Sequence, residues 1–178
     1  MELQKAIKER KSIRDFNPLK KPDYREIIEA IDTIRYAPMA GNIFSLRAIL
    51  VDKKETIQKL KAASGQDFIG QTEYVVVFCT SPELTEASYK ERSQKFLTQQ
   101  AGAAIENFLL SIEEKGLSTC WVGYFAEDMV KEILGIPQNI TVEGIFPIGY
   151  NSVKKYTRKA RTEFDQIMYF NKYKKKRM

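Results

Sequence analysis

The sequence predicts one α+β domain in which helices flank a sheet of about four or five strands. Strand-like apolar runs and amphipathic helical patterns mix along the whole chain rather than falling into separate blocks. Neither an internal repeat nor a low-complexity linker divides the 178 residues, a length that is ordinary for one domain. We therefore expect residues 1–178 to form a single domain that ends in a basic tail at about residues 172–178.

Three helical patterns occupy the first half of the chain. Residues 2–12 carry apolar side chains on one helical face and predict a helix over that stretch. Asp23 with Glu26 has the capping-box pattern that opens a second helix. A third helix is predicted over about residues 54–64, with Gly65 well placed as its C-terminal cap.

Four runs have strand character: SLRAILVD, YVVVFCT, LSTCWVG and VEGIFPIGY. The second run lacks polar alternation, which is typical of a strand buried on both faces. Pro147 in the fourth run predicts an edge strand or a bulge, because proline has no N–H to donate to a ladder. Trp121 in the third run is expected to pack in the core. The late run RTEFDQIMYF predicts either a final edge strand or an extended arm.

A helical pattern of unusual length runs from about Leu84 to Lys115 and ends at Gly116. Within it, AGAAIENFLLSI is apolar over much of its circumference, which predicts a helix buried by the fold or by a partner subunit. The run AEDMVKEIL predicts a short helix that ends before Gly135.

The composition excludes several kinds of active site. The chain contains no histidine, so Ser-His and Cys-His nucleophilic machinery and histidine-ligated metal sites are excluded. If the protein is an enzyme, an organic cofactor is expected to carry the chemistry. Cys79 and Cys120 stand singly in apolar surroundings, which predicts neither a disulfide framework nor a metal site. Without a signal peptide or a membrane-spanning run, we expect a cytoplasmic protein and no membrane partner.

The net charge of +6 could favour an anionic partner, yet much of the excess lies in the C-terminal NKYKKKRM. No recognised nucleic-acid module accompanies the charge, so we do not expect nucleic acid as the partner. An anion- or nucleic-acid-binding module remains the non-enzymatic alternative.

Two basic clusters are candidates for holding a phosphate. The glycine-rich signatures of dinucleotide-binding and P-loop folds are absent, so side chains would have to bind it. The first cluster is RKSIRDF, which groups Arg10, Lys11, Ser12 and Arg14. The second is TRKAR at residues 157–161. By composition alone, a solvated surface is the favoured interpretation of both clusters.

Four segments together resemble a known family. The opening RKSIRDF, then YAPMAGN, GAAIENFLLSIEEKGLSTCWVGYF and FPIGYNSVKKYTRKAR occur in the order found in short nitroreductase-family flavoproteins. The resemblance covers about residues 3–165. It implies a mostly antiparallel sheet and an intimate homodimer that binds FMN at its interface, with both subunits contributing.

The resemblance first assigns the residues that bind the FMN phosphate, called the phosphate grip below. Arg10 and Ser12 match the family's phosphate-binding pair, and Lys11 stands at a position that is usually arginine. The late basic motif that completes the phosphate site in the family falls on Arg158, Lys159 and Arg161.

The resemblance also assigns contacts to the flavin ring. Arg14 matches the basic residue that reaches the N1/O2 edge, and Asn42 matches the asparagine at the pyrimidine part of the ring. Gly123 and Tyr124 fall where backbone amides approach N5 and O4. No side chain is expected to be catalytic, because hydride enters and leaves through N5. A cation at Arg14 would favour the reduced flavin and so tune its reactivity.

The chain departs from the family pattern near the ring. Phe44 and Ser45 replace the glutamine and proline that often follow the asparagine, and Glu73-Tyr74 replaces a common Ala-Pro. Gln100 stands where many relatives carry an aspartate. These departures leave the phosphate grip intact and concern the ring-edge contacts, and therefore the electron acceptor.

The resemblance implies an FMN-dependent oxidoreductase. It would pass hydride from NAD(P)H through flavin N5 to a nitroaromatic, quinone or similar small-molecule acceptor by ping-pong kinetics. The enzymatic alternative is a specialised relative that fragments flavin or carries out reductive dehalogenation.

Overall fold

In the described part of the chain, four strands form one sheet. The structure is a computed structural model that describes residues 2–152 and 161–175. The strands are β1 (Leu46–Val51), β2 (Tyr74–Thr80), β3 (Ser118–Thr119) and β4 (Thr141–Gly149). They lie in the order β1-β2-β4-β3, and every neighbouring pair is antiparallel. The predicted α+β fold with a mostly antiparallel sheet is confirmed.

Helices surround this sheet. Over residues 2–152 and 161–175 they are α1 (Leu3–Glu9), α2 (Tyr24–Asp32), α3 (Lys54–Ser64), α4 (Glu83–Tyr89), α5 (Ser93–Glu114), α6 (Glu127–Leu134) and α7 (Phe164–Ile167). Two predicted caps are confirmed. The Asp23 carboxylate accepts a hydrogen bond from the Arg25 amide at 2.9 Å, and Gly65 ends α3 with a φ of +63°. None of these helices is long and apolar enough to cross a membrane.

The central strand β2 separates two apolar clusters. Val75 and Val77 pack in a cluster with residues of α3 and α6, whereas Val76 and Phe78 pack with residues of α2 and α5. Both faces of β2 are therefore covered, which explains why its sequence shows no polar alternation. Helices α3 and α6 thus cover one face of the sheet, and α2 and α5 cover the other.

The long helix α5 packs against the sheet. Its buried residues include Ala104, Ile105 and Phe108, so the fold itself covers much of the apolar surface that the sequence predicted to be buried. The Phe108 ring meets Phe78 of β2 edge-on at 5.0 Å and Phe146 of β4 at 5.8 Å. These contacts fix α5 against the two interior strands.

The single long helix predicted from Leu84 is wrong, because the chain breaks it at Lys90. That residue has a φ of +48°, and a turn over Lys90–Arg92 separates α4 from α5. The Ser93 hydroxyl donates to the Lys90 carbonyl, and the Tyr89 and Phe96 rings pack edge-on at 4.9 Å across the break. Helical periodicity continues through this segment of the sequence, so the pattern alone does not reveal the break.

Pro147 lies in an interior strand, so of the two predicted alternatives the edge strand is wrong. A register shift does occur in β4, opposite Phe78 and Cys79 of β2 rather than at Pro147. The proline instead interrupts one side of β4. Extending the β3–β4 register places Cys120 opposite Pro147, and the ladder resumes where Val122 and Ile145 exchange backbone hydrogen bonds at 3.0 Å. Because Pro147 has no N–H at the position where Cys120 needs a donor, β3 is only two residues long.

Of the two alternatives predicted for the late run RTEFDQIMYF, an edge strand or an extended arm, the edge strand is wrong. Its described residues contain one helical turn, α7, and are mostly exposed, including Phe164 and Ile167. The guanidinium of Arg161 donates to the backbone carbonyl of Lys8, which ties the start of this segment to α1.

Candidate functional site

The segment after α1 leaves the helix and lies beside β3. The helix predicted up to residue 12 ends at Glu9, because Arg10 turns to an extended conformation with φ −51° and ψ 129°. The Ile13 amide donates to the Thr119 carbonyl at 2.9 Å. Ile13 and Phe16 are buried, whereas Ser12 is exposed. The buried side chains therefore anchor the segment and leave its polar side chains accessible.

A cavity of about 230 Å³ opens between this segment, α5 and the residues after β3. Arg10, Lys11 and Ser12 line one side of it, as the sequence predicted for a shared anion site. Its remaining lining residues are Glu106, Leu109, Ile112, Glu113, Thr119 and Trp121. Part of the candidate phosphate grip is thus assembled within a single chain.

Cations and carboxylates face each other in this cavity. The Nε of Arg10 lies 3.4 Å from Oε1 of Glu106, and both side chains are substantially exposed. Burial raises the pKa of Glu113, the charges of Lys11 and Arg10 oppose that rise, and Glu9 adds to it. The cavity therefore holds two basic side chains that already interact with acidic groups.

Thr119 supplies an unpartnered hydroxyl at the cavity. Its residue is 6% exposed, and its Oγ1 has no hydrogen-bond partner among the residues that the structure describes. Buried hydroxyls are nearly always paired, so an unpartnered one in a residue that lines the cavity is an exception. Nothing in the run LSTCWVG singled out Thr119, because a threonine in a strand is ordinary.

Asn42 lies on a tight turn with an unusual backbone. The turn covers Ala40–Asn42, and both Gly41 and Asn42 have positive φ, at +57° and +58°. The Tyr89 hydroxyl approaches Gly41 so closely that a Cβ added there would lie 2.4 Å from it. The side chain of Asn42 is exposed and does not line the cavity.

Gln100 of α5 holds this turn from within the protein. Its Oε1 accepts a hydrogen bond from the Ala40 amide at 3.2 Å, and its Nε2 donates to the Ser45 hydroxyl at 2.5 Å. Gln100 and Ser45 are both among the departures that the sequence placed near the ring, and they contact each other. The sequence showed each substitution but gave no sign of their pairing.

Trp121 stands at the edge of the core rather than inside it. The indole N–H donates to the Glu143 carbonyl at 3.0 Å, and the ring packs on Phe146 with centroids 5.5 Å apart. The residue is nevertheless 38% exposed and lines the cavity, so the prediction of a core position holds for only part of the side chain. Gly123 and Tyr124 follow it as exposed residues.

The other predicted residues are placed as follows. Burial raises the pKa of the Cys120 thiol and the charge of Arg14 opposes that rise, which places Arg14 near the end of β3. Arg161 contacts α1 at Lys8 but does not line the cavity. Arg158 and Lys159 lie outside the described residues. Among the predicted residues that the structure describes, Arg10, Lys11 and Ser12 are the ones that the cavity brings together.

The sequence model of the nitroreductase family matches residues 7–150, which is most of the chain. The chain belongs to the nitroreductase family. This nitroreductase-family membership assigns it to the oxidoreductases. Fold and family thus agree with the resemblance carried by the four sequence segments.

Two relatives and one solved structure are similar over nearly the whole chain. A protein of Archaeoglobus fulgidus named for NADH dehydrogenase or NAD(P)H nitroreductase activity is 29% identical over 170 residues, covering 92% of this chain and 94% of its own. The iodotyrosine deiodinase of Thermotoga neapolitana is 26% identical over 166 residues, covering 83% and 88%. The FMN-dependent nitroreductase of Clostridium difficile has a TM-score of 0.79 at 21% identity, covering 94% and 98%. At that identity, the structural likeness establishes the fold.

Proposed function

We propose that this chain is an FMN-dependent oxidoreductase that passes hydride from NAD(P)H to a nitroaromatic, quinone or similar acceptor. The observation that carries the proposal is the cavity in which Arg10, Lys11 and Ser12 meet the unpartnered hydroxyl of Thr119. Family membership supports the reaction class. The solved relative named for FMN and the curated relative named for NAD(P)H support the cofactor and the reductant.

The chemistry of the cavity fits a phosphate monoester. Near neutral pH such a group is almost a dianion, and it is held by more than one cation together with neutral hydrogen-bond donors. Arg10 and Lys11 supply the cations, and the hydroxyls of Ser12 and Thr119 supply donors. Arg161, with Arg158 and Lys159, would complete the grip. The flavin, when bound, supplies the hydride chemistry at its N5 atom.

The remaining site residues orient the ring and tune it. The Arg14 cation would stabilise the negative charge that reduction places at the N1/O2 edge. Asn42 would bind the pyrimidine part of the ring, and the backbone amides of Gly123 and Tyr124 would lie against N5 and O4. None of these roles requires a side chain that titrates near neutral pH, which is consistent with a chain without histidine.

The proposed active form is a homodimer in which both subunits contribute to each flavin site. Within one chain, Asn42 does not share the cavity with Arg10, which supports a site completed by a second copy. Leu3 and Ile7 of α1 are 66% and 53% exposed, as expected for side chains that a partner covers. We propose that residues 1–178 act as one flavin-binding domain in each subunit, in the cytoplasm. The buried free thiols of Cys79 and Cys120 support a reducing compartment.

Rapid mixing under anaerobic conditions tests this proposal. The FMN-saturated protein should lose its oxidised flavin absorbance when mixed with NADH or NADPH, and a nitroaromatic or a quinone added afterwards should restore it. Initial rates with both substrates varied should give the parallel lines of ping-pong kinetics. Failure of both nicotinamides to reduce the bound flavin would contradict the proposal.

A second candidate is reductive dehalogenation. It is favoured by the similarity to the deiodinase of Thermotoga neapolitana, which covers most of both chains. Release of iodide from iodotyrosine by the reduced protein, measured against the rate with a nitroaromatic, distinguishes the two. If iodide is released faster than the nitroaromatic is reduced, iodotyrosine replaces the nitroaromatic as the proposed acceptor, and FMN remains the proposed cofactor.

A further inference from the structure

We infer that Gln100 and Ser45 form a buried clasp that positions Asn42 against the flavin ring. This inference rests on the proposed function, since it assigns Gln100 as a positioning residue for the same site. The clasp consists of the two side chains and the Ala40 amide, and it holds the turn Ala40–Asn42.

The clasp supplies hydrogen-bond partners to two buried polar side chains. Gln100 is 4% exposed and Ser45 is 2% exposed, so neither side chain can rely on water. Both ends of the Gln100 amide are used, because Oε1 accepts from Ala40 and Nε2 donates to Ser45. Removing either side chain would leave a buried partner unpaired, which costs more than the hydrogen bond contributes when formed.

The clasp acts at a turn with an unusual backbone. Gly41 and Asn42 are consecutive residues with left-handed φ values, which glycine and asparagine adopt more readily than most residues. The turn's own hydrogen bonds are short-range, from Asn42 to Met39 and from Ile43 to Ala40, both at 3.1 Å. Gln100 adds a contact from α5, 60 residues away in sequence. It therefore ties the turn to a rigid element.

The far end of the clasp is fixed as well. The Ser45 carbonyl accepts a hydrogen bond from the Ser81 amide at 2.9 Å, just past the end of β2. The clasp thus joins the Asn42 turn to α5 and, through Ser45, to the sheet. A side chain presented from such a supported turn keeps one orientation, which is what a ring-edge contact requires.

A double-mutant cycle on FMN affinity tests the clasp. Gln100→Leu should raise the dissociation constant for FMN about tenfold in the wild-type background, and less than about twofold in an Asn42→Ala background. Gln100→Leu and Asn42→Ala should also change the shape of the bound flavin's visible absorption band in the same way. Gln99→Leu is the matched control, because Gln99 is the exposed neighbour on the same helix, and it should change neither readout.

The outcomes separate this inference from the proposed function. A wild-type chain that binds no FMN would overturn the proposed function itself. If the wild type binds FMN and the effects of Gln100→Leu and Asn42→Ala simply add, the clasp does not act through Asn42 and the inference is overturned. Should Gln100→Leu fail to fold, Ser45→Ala carries the same test. That milder change should raise the dissociation constant about threefold, again only when Asn42 is present.

Discussion

The Nε atom of Arg10 lies 3.4 Å from Oε1 of Glu106, inside the cavity that also contains Lys11 and Ser12. Both partners are substantially exposed, so the pair itself contributes little to folding stability. The pair instead affects ligand binding, because a phosphate in this cavity would compete with Glu106 for the guanidinium of Arg10.

Neutralising Glu106 should therefore strengthen flavin binding. We expect Glu106→Gln to lower the dissociation constant for FMN about threefold, since it removes both the competition for Arg10 and the repulsion of a dianion. Titration by flavin fluorescence measures the change. Glu55→Gln makes the same change of charge on α3, outside the cavity, and should have no effect. Weaker binding by Glu106→Gln would show that Glu106 supports the site.

Removing Arg10 should weaken the binding of FMN but not of riboflavin, which lacks the phosphate. We expect Arg10→Ala to raise the dissociation constant for FMN at least about tenfold and to change that for riboflavin by less than about twofold. Arg35→Ala is a matched control, because Arg35 pairs with Asp32 on the surface. Equal losses for both ligands would remove Arg10 from the phosphate grip.

A side chain at Gly41 should destabilise the turn in two ways, through its positive φ and through a steric clash with Tyr89. Gly41→Ala places a Cβ at positive φ and 2.4 Å from the Tyr89 hydroxyl, and we expect it to lower the free energy of unfolding by roughly 2 kcal/mol. Gly65→Ala shares the positive φ but meets nothing within 4 Å, so it should cost only about 1 kcal/mol.

Tyr89→Phe tests whether the Tyr89 hydroxyl causes the extra cost of Gly41→Ala. By removing the hydroxyl that the new Cβ would meet, it should reduce the cost of Gly41→Ala to nearly that of Gly65→Ala, as measured by urea unfolding. An unchanged cost in the double variant would place the strain in the backbone alone.

Glu113 should make stability depend on pH. Burial raises its pKa, so the folded chain binds this proton more tightly than the unfolded chain does. The stability it contributes is present below the ordinary carboxyl pKa of 4.5 and is lost as pH rises through the higher folded value. At neutral pH, Glu113→Gln should therefore raise the melting temperature by roughly 2 °C, and the gain should fade below pH 4.5.

Melting temperatures of the wild type and of Glu113→Gln, measured between pH 4 and 8, test this expectation. A gain for Glu113→Gln that persists unchanged at low pH would mean that the carboxyl charge is not its cause.

Local chemistry was enough to predict much of the fold. Gly65 ends α3 and Asp23 caps α2, as expected because glycine is favoured just past helix C-termini and aspartate at N-caps. The two-sided burial of β2 followed from its composition alone. For RKSIRDF, the family resemblance predicts a phosphate site at Arg10, Lys11 and Ser12. These residues line one cavity, and their binding of an anion stays a prediction.

The remaining features depend on contacts between distant residues. The break at Lys90 lies in a segment with continuous helical periodicity, and the packing of Tyr89 and Phe96 accompanies it. Pro147 interrupts the ladder to β3 without placing β4 at an edge, which follows from the strand order and not from the strand. The contact of Gln100 with Ser45 joins residues 55 positions apart, and no local pattern reports it.

The visible absorbance of the purified protein, after incubation with FMN and desalting, shows whether this chain holds the cofactor. We expect an oxidised flavin spectrum that survives desalting, with about one FMN per chain, as a two-site homodimer requires. A colourless protein that retains no FMN would contradict it and would leave the cavity around Arg10 as a site for some other anion.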